Sequence, residues 1–195
     1  MDLMTLLETC RTYRRFDQYK KIPSEVIDEI LAAQRFASSA CNQQRLRYLV
    51  VKTPELVEKV FPFTKWAASL PPEIGTPKEG EHPTLFILVL YDRRKKNKWI
   101  DTDAGLAISN MTLAAWNHGV GSCIMDNVDR TKLRQVLELN ETLEIHSVIA
   151  FGYPSHHSTV VAAEDEKKLG YYLDVNRDYY VLNSLWTPLQ HFYKE

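Results

Sequence analysis

The stretch Asp103-Ala-Gly-Leu-Ala-Ile-Ser-Asn-Met-Thr-Leu-Ala-Ala-Trp-Asn-His-Gly-Val-Gly-Ser-Cys123 decides how this chain folds. Its first part belongs to a long helix that we predict from Trp99 to His118, with Asp101 or Thr102 as the N-cap. Apolar side chains surround most of this helix, which predicts a central position in the fold. Its small residues also allow close approach of another helix, including one from a second subunit. The glycine-rich turn then leads into a short strand over Val120–Met125.

The remaining pattern predicts an α+β domain built around a central mixed sheet. The segment Leu85–Tyr91 is continuously apolar, so we expect a strand that is buried on both faces. Further strands are predicted over Leu46–Val51 and Ser147–Phe151. Helical spacing of apolar residues predicts four more helices, over residues 3–10, 22–37, 55–60 and 129–139, the last capped by Asp129. With 195 residues and 45% apolar content, the chain fits one domain over residues 1–195.

Two segments lack a regular pattern. Residues 61–83 contain five prolines and two glycines, which exclude long helices or strands. A loop of this length is either a lid over a binding site or a surface insertion, and its aromatic residues Phe63 and Trp66 favour a packed lid. Residues 155–195 form a polar C-terminal extension whose tyrosine pairs have no helical period. We expect an extended arm that lies on another surface.

Charge and cysteine content exclude several classes of function. The formal net charge of −1 provides no general attraction to nucleic acid or acidic lipid, and the basic run Arg93–Lys98 is typical of a solvated turn. From the early acid and the short apolar runs of the N-terminal segment we expect neither a signal peptide nor a membrane span there. The three cysteines are widely spaced and show no disulfide framework or metal-binding pattern. We therefore expect a cytoplasmic protein that binds neither nucleic acid nor membrane.

The segment Arg11-Thr12-Tyr13-Arg14-Arg15-Phe16 follows the first helix. Guanidinium groups pair bidentately with phosphate oxygens, and a neighbouring hydroxyl can donate a further bond. The segment is therefore a candidate phosphate site. A charged surface loop explains the same residues, because such clusters are common on protein surfaces.

The segment Ser38-Ser-Ala-Cys-Asn-Gln-Gln44 supplies a dense set of neutral donors and acceptors after a helix. Amide groups can read the carbonyl and N–H edges of a heterocycle without adding charge. The alternative is a capping loop that satisfies its own backbone, although Asn42 and Gln44 together exceed what a cap requires.

The turn Gly119-Val-Gly-Ser-Cys123 allows close approach of a ligand but lacks the Gly-x-Gly-x-x-Gly pattern of a Rossmann nicotinamide site. A plain helix-to-strand turn explains it equally. Cys123 resembles a small buried residue more than a nucleophile. The adjacent His156 and His157 lack a carboxylate at useful spacing, so no metal is predicted.

Together these segments resemble the nitroreductase family of FMN-dependent oxidoreductases. Members typically carry Arg-Arg-Ser-x-Arg-x-Phe, where this chain has Cys10-Arg-Thr-Tyr-Arg-Arg-Phe16. Their Ala-Pro-Ser-x-x-Asn-x-Gln-Pro-Trp-Arg-Phe corresponds to residues 37–48, and their closing Gly-Tyr-Pro to residues 152–154. The family's helix and turn motifs are matched at Asp103, Gly105, Ala107, Asn110, Leu113, Ala114, Ala115, Gly119, Gly121, Ser122 and Cys123.

The resemblance implies a nitroreductase-like fold with a mostly antiparallel sheet flanked by helices. It also implies a homodimer that exchanges its C-terminal arms and binds two FMN molecules at the interface. The FMN phosphate and ribityl chain would be held by Arg11, Thr12 and Arg14. The flavin would be faced, from the partner subunit, by Ser39, Asn42 and Gln44. Flavin N5 would be approached by the backbone around Ile124, Met125 and Asp126.

The resemblance further implies the chemistry. NADH or NADPH would deliver a hydride to flavin N5 and leave, and an electron-poor nitroaromatic, quinone or enone would then take the electrons in a ping-pong sequence. The flavin carries this chemistry, so no catalytic side chain is implied.

Three departures from the family pattern keep other functions open. Cys10 replaces an arginine near the flavin. Asp126 stands where the family often has glycine, and a negative charge there would disfavour the anionic reduced flavin. The Lys-Arg pair that commonly completes the phosphate site is missing from Val181–Trp186. The alternatives are a non-redox member of the same fold that binds a flavin or another ligand, and a structural dimer that binds nothing.

Overall fold

The computed structural model describes residues 1–163 and 169–184. The chain forms two compact units that divide after Ser155. The assignment of residues 1–195 to one domain stays a prediction. Within the described residues, no helix combines the length and the apolar composition needed to cross a membrane.

The first unit is built on a four-stranded sheet with the order β1-β2-β4-β3. Its strands are β1 (Leu46–Val51), β2 (Leu85–Asp92), β3 (Gly121–Met125) and β4 (Leu143–Gly152). All three neighbouring pairs are antiparallel. A single parallel bridge joins Thr12 to Ser122 on the outer side of β3. The predicted α+β class with a mostly antiparallel sheet is therefore confirmed.

Within the described residues, the helices around this sheet are α1 (Leu3–Thr9), α2 (Ser24–Ala33), α3 (Pro54–Val60), α4 (Pro72–Gly75), α5 (Ile100–Asn117) and α6 (Arg130–Val136). Asp129 caps α6 as predicted, because its side chain accepts the N–H of Lys132. The prediction that α6 reaches residue 139 is wrong, since Glu138 adopts a left-handed backbone conformation with φ of 49°. Similarly, α2 ends at Ala33 and continues only as a tight turn over Gln34–Phe36.

Strand β2 separates two hydrophobic cores, because its side chains alternate between the two faces of the sheet. Phe86, Leu88 and Leu90 pack in one core, together with residues of α3 and α6. The other core, which also receives residues of α2 and α5, takes Leu85, Ile87 and Val89. The expected burial of this strand on both faces is confirmed.

The long helix α5 covers one face of the sheet, and its buried side includes Ala104, Ala107 and Met111. The predicted N-cap at Asp101 or Thr102 is wrong. Helix α5 begins earlier, at Ile100, since a preceding turn lets the side chain of Asn97 accept the N–H of Trp99. Asp101 instead occupies the first turn, where a negative charge is favourable. One side of α5 remains exposed in the single chain, including Leu106.

The segment 61–83 has little regular structure, as predicted, but its first part is packed. Trp66 is buried and contacts the rings of Phe16 and Phe61. Thr64 bridges Val128, and the N–H of Lys65 donates to the carbonyl of Asn127. These contacts favour a packed segment over a loose insertion, while its role as a lid stays a prediction.

The second unit contains a three-stranded sheet that sequence patterning did not indicate. Its strands are β5 (Ser158–Ala162), β6 (Gly170–Leu173) and β7 (Tyr179–Asn183), with the order β5-β7-β6. Tyr172 stacks on Tyr180 across the β6–β7 pair, with ring centroids 5.2 Å apart. The expected extended arm is therefore partly a small sheet. Its exchange in a dimer stays a prediction, and residues 164–168 and 185–195 lie outside the described residues.

Candidate functional site

The predicted phosphate-binding residues lie beside the outer edge of the main sheet. After α1, the chain runs along β3, and the N–H of Tyr13 donates to the carbonyl of Ser122 over 2.8 Å. The ring of Tyr13 stacks on Trp116, which fixes this segment against α5. Burial also raises the pKa of Tyr13 to about 12, so its hydroxyl stays neutral.

Two glycines make room for this segment. A Cβ at Gly121 would lie 2.8 Å from the Tyr13 ring, and a Cβ at Gly152 would lie 2.8 Å from Cβ of Phe16. The sequence suggested that the Gly-x-Gly turn lets a ligand approach closely. In the structure, Gly121 instead lets aromatic residues of the segment 11–16, which we call the phosphate segment, pack on β3.

The Arg11 side chain carries an unmet hydrogen-bond donor. Its Nη2 donates to the carbonyl of Leu7 at the end of α1. Its Nε is buried, and among the described residues no acceptor takes its hydrogen. A buried donor without a partner costs about 1–3 kcal/mol, which an anionic ligand can recover. Arg11 therefore fits the phosphate-binding role that the sequence predicted.

The amide loop, residues 38–44, is held by a buried carboxylate. Asp103 is 3% exposed, and its Oδ1 accepts the N–H of Ala40 over 2.9 Å. Within the loop, Gln44 Nε2 donates to Asn42 Oδ1 over 2.8 Å, and Gln44 N donates to Ser39 Oγ over 3.2 Å. The structure thus brings Ser39, Asn42 and Gln44 together on the wall of a cavity of about 360 Å³.

The backbone of the amide loop is unusual. Positive φ angles occur at Cys41 (53°), Asn42 (51°) and Gln44 (45°). Non-glycine residues seldom adopt this conformation, and strained backbone of this kind clusters at ligand sites. Asparagine tolerates it best, since its side chain can bond locally. A simple capping loop does not require three such residues.

The segment Ile124–Asp126 forms an open sheet edge. The carbonyl of Ser122 points outwards to Tyr13, so two residues later the N–H and C=O of Ile124 point to the same side. Among the described residues no strand continues the sheet there. Ile124 is 54% exposed, whereas Met125 is buried. An open backbone edge of this kind can donate to or accept from a ligand.

The charge of Asp126 is balanced by Arg130. Arg130 Nη2 donates to Asp126 Oδ1, and its Nη1 donates to the carbonyl of Asp126 over 3.0 Å. Arg130 also donates to the carbonyls of Ile145 and His146, which fixes its guanidinium group. The sequence motifs did not single out Arg130, because Asp126 lies between β3 and α6 and the four-residue spacing is a signal only where both residues are helical.

The two predicted clusters lie at different levels of α5. The amide loop contacts Asp103, whereas Cys10, next to the phosphate segment, donates from its Sγ to the carbonyl of Thr112. Nine residues of helix separate these contacts, or about 13 Å along the axis. The structure therefore brings Arg11, Thr12 and Arg14 beside the β3 edge but leaves the amide loop elsewhere on the same chain.

Other candidate groups are inert or structural. Cys123 is buried, and desolvation raises the pKa of its thiol to about 11, which is unsuitable for a nucleophile. Burial also raises the pKa of the Cys10 thiol. His156 Nδ1 contacts the carbonyl of His157 over 2.8 Å, and its ring packs on Tyr179. Over residues 1–163 and 169–184, no three metal-binding side chains converge.

Comparison with known proteins identifies the fold and the family. The model of the "Nitroreductase family" matches residues 7–153, which is most of the chain. This chain belongs to the nitroreductase family. The resemblance that the sequence motifs predicted is therefore confirmed.

Individual relatives agree with this assignment. An Archaeoglobus fulgidus protein named "Putative NADH dehydrogenase/NAD(P)H nitroreductase" is 28% identical over 174 residues, covering 84% of this chain and 92% of its own. An FMN-dependent nitroreductase from Clostridium difficile R20291 has a TM-score of 0.64 at 22% identity, covering 86% and 94% of the two chains. A Desulfovibrio desulfuricans protein named "putative nitroreductase", solved in complex with FMN, has a TM-score of 0.64 at 24% identity, covering 80% and 88% of the two chains. At these identities the solved structures show a shared fold.

Proposed function

We propose that this protein is an FMN-dependent oxidoreductase that uses NADH or NADPH to reduce an electron-poor small molecule. The proposal rests on two features observed together: a buried hydrogen-bond donor that has no acceptor, and an open edge of the main sheet. Arg11 Nε lacks an acceptor among the described residues, and the backbone edge at Ile124 lies on the same side of β3. Membership of the nitroreductase family and the names of its relatives support the same activity.

In this proposal the phosphate segment binds the FMN phosphate. Arg11 and Arg14 donate charge-assisted hydrogen bonds, and the exposed hydroxyl of Thr12 donates a neutral one. The pairing of Thr12 with Ser122 and the stacking of Tyr13 on Trp116 hold the segment still. The segment is therefore already ordered in the free protein, so ligand binding does not carry the entropic cost of ordering it.

The flavin ring is proposed to bind between two copies of the chain. The amide loop of one copy would face the flavin held by the phosphate segment of the other, because the two clusters lie about 13 Å apart along α5. Helix α1 has no buried residue, and its Leu3, Met4 and Leu7 are all more than 40% exposed. The exposed side of α5 offers Gly105 and Leu106. These apolar surfaces favour a homodimer, since monomers rarely expose contiguous apolar patches.

When bound, FMN supplies the capacity to accept a hydride from a nicotinamide and pass the electrons to an acceptor. The chain's own residues position and balance the site. The open backbone at Ile124 would contact the flavin edge near N5. Arg130 neutralises Asp126 there, so the penalty that an isolated carboxylate would impose on an electron-rich flavin is reduced.

The test is a visible absorption spectrum of the protein after incubation with FMN and desalting, recorded before and after anaerobic addition of NADH or NADPH. A retained flavin band that bleaches, and recovers when a quinone or nitroarene is added, is the expected result. The double variant Arg11→Ala/Arg14→Ala should lose the flavin band, whereas Lys21→Ala, which removes an exposed lysine, should keep it. Unchanged flavin affinity in the double variant would refute these residue roles.

A second candidate is a non-redox protein of the same family that binds a flavin or another ligand. It is favoured by the missing basic pair in Val181–Trp186, because each lost charge-assisted bond weakens phosphate binding by about 1.5–3 kcal/mol. A retained flavin band that neither NADH nor NADPH bleaches would select this candidate. A protein that retains no flavin would contradict the oxidoreductase proposal and would leave only the binding of another ligand for the second candidate.

A further inference from the structure

We infer that a substrate of this protein, either the hydride donor or the electron acceptor, carries an oxyanion that binds to arginines beside the amide loop. The oxyanion is a carboxylate or a phosphate. The binding site is the cavity of about 360 Å³ lined by the amide loop together with Arg35, Arg45 and Arg47, and we refer to it as the basic cavity. The inference rests on the proposed function, because it names the substrate class of the same site. It concerns a different group from the FMN phosphate, which is assigned to the phosphate segment.

The charge of the basic cavity is strongly one-sided. Three guanidinium groups line it, and its only carboxylate among the described residues is Asp103. An adjoining depression of about 510 Å³ shares Gln44, Arg45 and Arg47 and adds Lys95, Lys96 and Asp92. The two together present five cations and two carboxylates, in a chain with a net charge of −1. Asp103 accepts from Ala40 N and its charge is offset by Arg45, while Asp92 pairs with Arg94 outside the two cavities, so among the described residues Arg35, Arg47 and the two lysines remain as uncompensated cations.

The arginines are held by the protein but keep hydrogens for a ligand. Arg45 is 14% exposed at its side chain, and its Nη1 lies 3.6 Å from Asp103 Oδ2 and 3.5 Å from the carbonyl of Ala40. Arg47 uses its Nη1 to donate to the carbonyls of Gln44 and Leu46, over 3.0 and 2.7 Å. Within the described residues, Nε and Nη2 of both arginines have no protein acceptor. A guanidinium has five donors in a planar fork, which matches the two oxygens of a carboxylate or phosphate.

The neutral residues of the basic cavity suit the rest of such a molecule. Asn42 and Gln44 add amide donors and acceptors, and the half-buried ring of Tyr48 adds an aromatic wall. The volume is within the range of small-molecule sites. Arg45 stands where the family pattern has proline, whereas Arg47 matches the family's arginine, so the pair of neighbouring arginines is specific to this chain.

The experiment compares two probes of similar size and shape, one carrying a carboxylate and the other a neutral amide at the same position. Para-nitrobenzoate and para-nitrobenzamide are titrated calorimetrically into the FMN-loaded protein, or into the protein alone if flavin is not retained. We expect the wild type to bind the carboxylate about tenfold more tightly than the amide, the ratio that one charge-assisted bond provides. Arg47→Gln, at an exposed position that tolerates change, should bring the ratio close to one. Arg45→Gln should do the same where it folds, and Lys59→Gln, which removes an exposed charge outside both cavities, should leave the ratio unchanged.

Further arms identify the source of the oxyanion. If Arg47→Gln lowers the affinity for NADPH relative to NADH, without altering the ratio for the nitrobenzoate pair, the oxyanion is the additional phosphate of the donor. If it instead lowers the affinity for FMN relative to riboflavin, the basic cavity belongs to the flavin phosphate and the inference is overturned. Equal binding of both nitro probes by the wild type, with no preference for NADPH, also overturns it. Calorimetry measures binding without turnover. Failure of the proposed redox function would be seen instead in the absorption experiment, as a flavin band that neither NADH nor NADPH bleaches.

Discussion

Removal of the Asp103 carboxylate should destabilise both the amide loop and the protein. Asp103 is 3% exposed and makes two contacts, a hydrogen bond of 2.9 Å from Ala40 N and an ionic contact of 3.6 Å to Arg45. In Asp103→Ala the Ala40 N–H loses its acceptor, at a cost of about 1–3 kcal/mol. Arg45, which is 14% exposed, also loses its counter-charge, and breaking a buried pair costs about 3–5 kcal/mol.

These two costs share one residue and are not additive, and partial exposure of Arg45 reduces the second. We therefore expect a total loss of about 3–4 kcal/mol in the free energy of unfolding for Asp103→Ala. Asp103→Asn retains an amide oxygen for Ala40 and removes only the charge, so its loss should be about 1–2 kcal/mol. The difference between the two variants isolates the hydrogen bond to the loop.

The assay is urea unfolding at fixed protein concentration, because association alters apparent stability. Amide hydrogen exchange at Ala40 adds a local readout, and it should accelerate in Asp103→Ala but little in Asp103→Asn. Asp101→Asn is the matched control, since Asp101 lies on the same helix with its side chain 93% exposed. Its effect should stay below about 1 kcal/mol. If Asp103→Ala and Asp101→Asn cost the same, Asp103 does not hold the loop.

Three further predictions concern the sheet and its edge. Gly152→Ala should lower the free energy of unfolding by about 1–3 kcal/mol in thermal or urea unfolding, because the new Cβ would lie 2.8 Å from Cβ of Phe16. Burial raises the pKa of Cys123 from 9.0 to about 11, so the unfolded chain loses this proton first and stability should fall as the pH rises from 9 to 11. The expected slope is about 1.4 kcal/mol per pH unit, measured by urea unfolding at several pH values. Arg130→Gln should make the reduction potential of bound FMN more negative by about 30 mV in spectroelectrochemistry, since Asp126 loses its counter-charge.

Each of these has a discriminating control. Wild-type stability in Gly152→Ala would mean that Phe16 can move away from β4. The pH slope between 9 and 11 should vanish in Cys123→Ala, and its persistence there would assign the titration to another group. Asp126→Asn should reverse the potential shift of Arg130→Gln, and a shift that survives this second substitution would have to arise from displaced backbone.

Much of the fold could be predicted from the sequence because it depends on local patterns. The apolar run Leu85–Tyr91 and the period of residues 99–118 identify a doubly buried strand and its covering helix without knowledge of their partners. Boundaries were less accurate, since a helix ends where backbone conformation changes, as at Glu138. The small sheet of the second unit was missed in part because β5 pairs with β7 in parallel across intervening chain, which local patterns do not record.

The candidate site divides in the same way. The residue types of the phosphate segment and the amide loop, read with the family motifs, identified Arg11, Thr12, Arg14, Ser39, Asn42 and Gln44 as binding candidates. The sequence did not indicate that Asp103 anchors Ala40, because 63 residues separate them. It also did not indicate that Arg130 neutralises Asp126, since the pair depends on the conformation of the turn between β3 and α6.

The sequence by itself determined the family, the α+β class and the chemical types of the binding groups, because those follow from residue identity, spacing and hydrophobic period. Only the tertiary structure decided how charges are balanced and which donors remain unfilled. Burial leaves Arg11 Nε without an acceptor among the described residues, while the chain's own path places three arginines around one cavity. The pairing of Asp103 with Arg45 joins groups remote in sequence, and the electrostatic energy of a site is set by such distances and by exclusion of water.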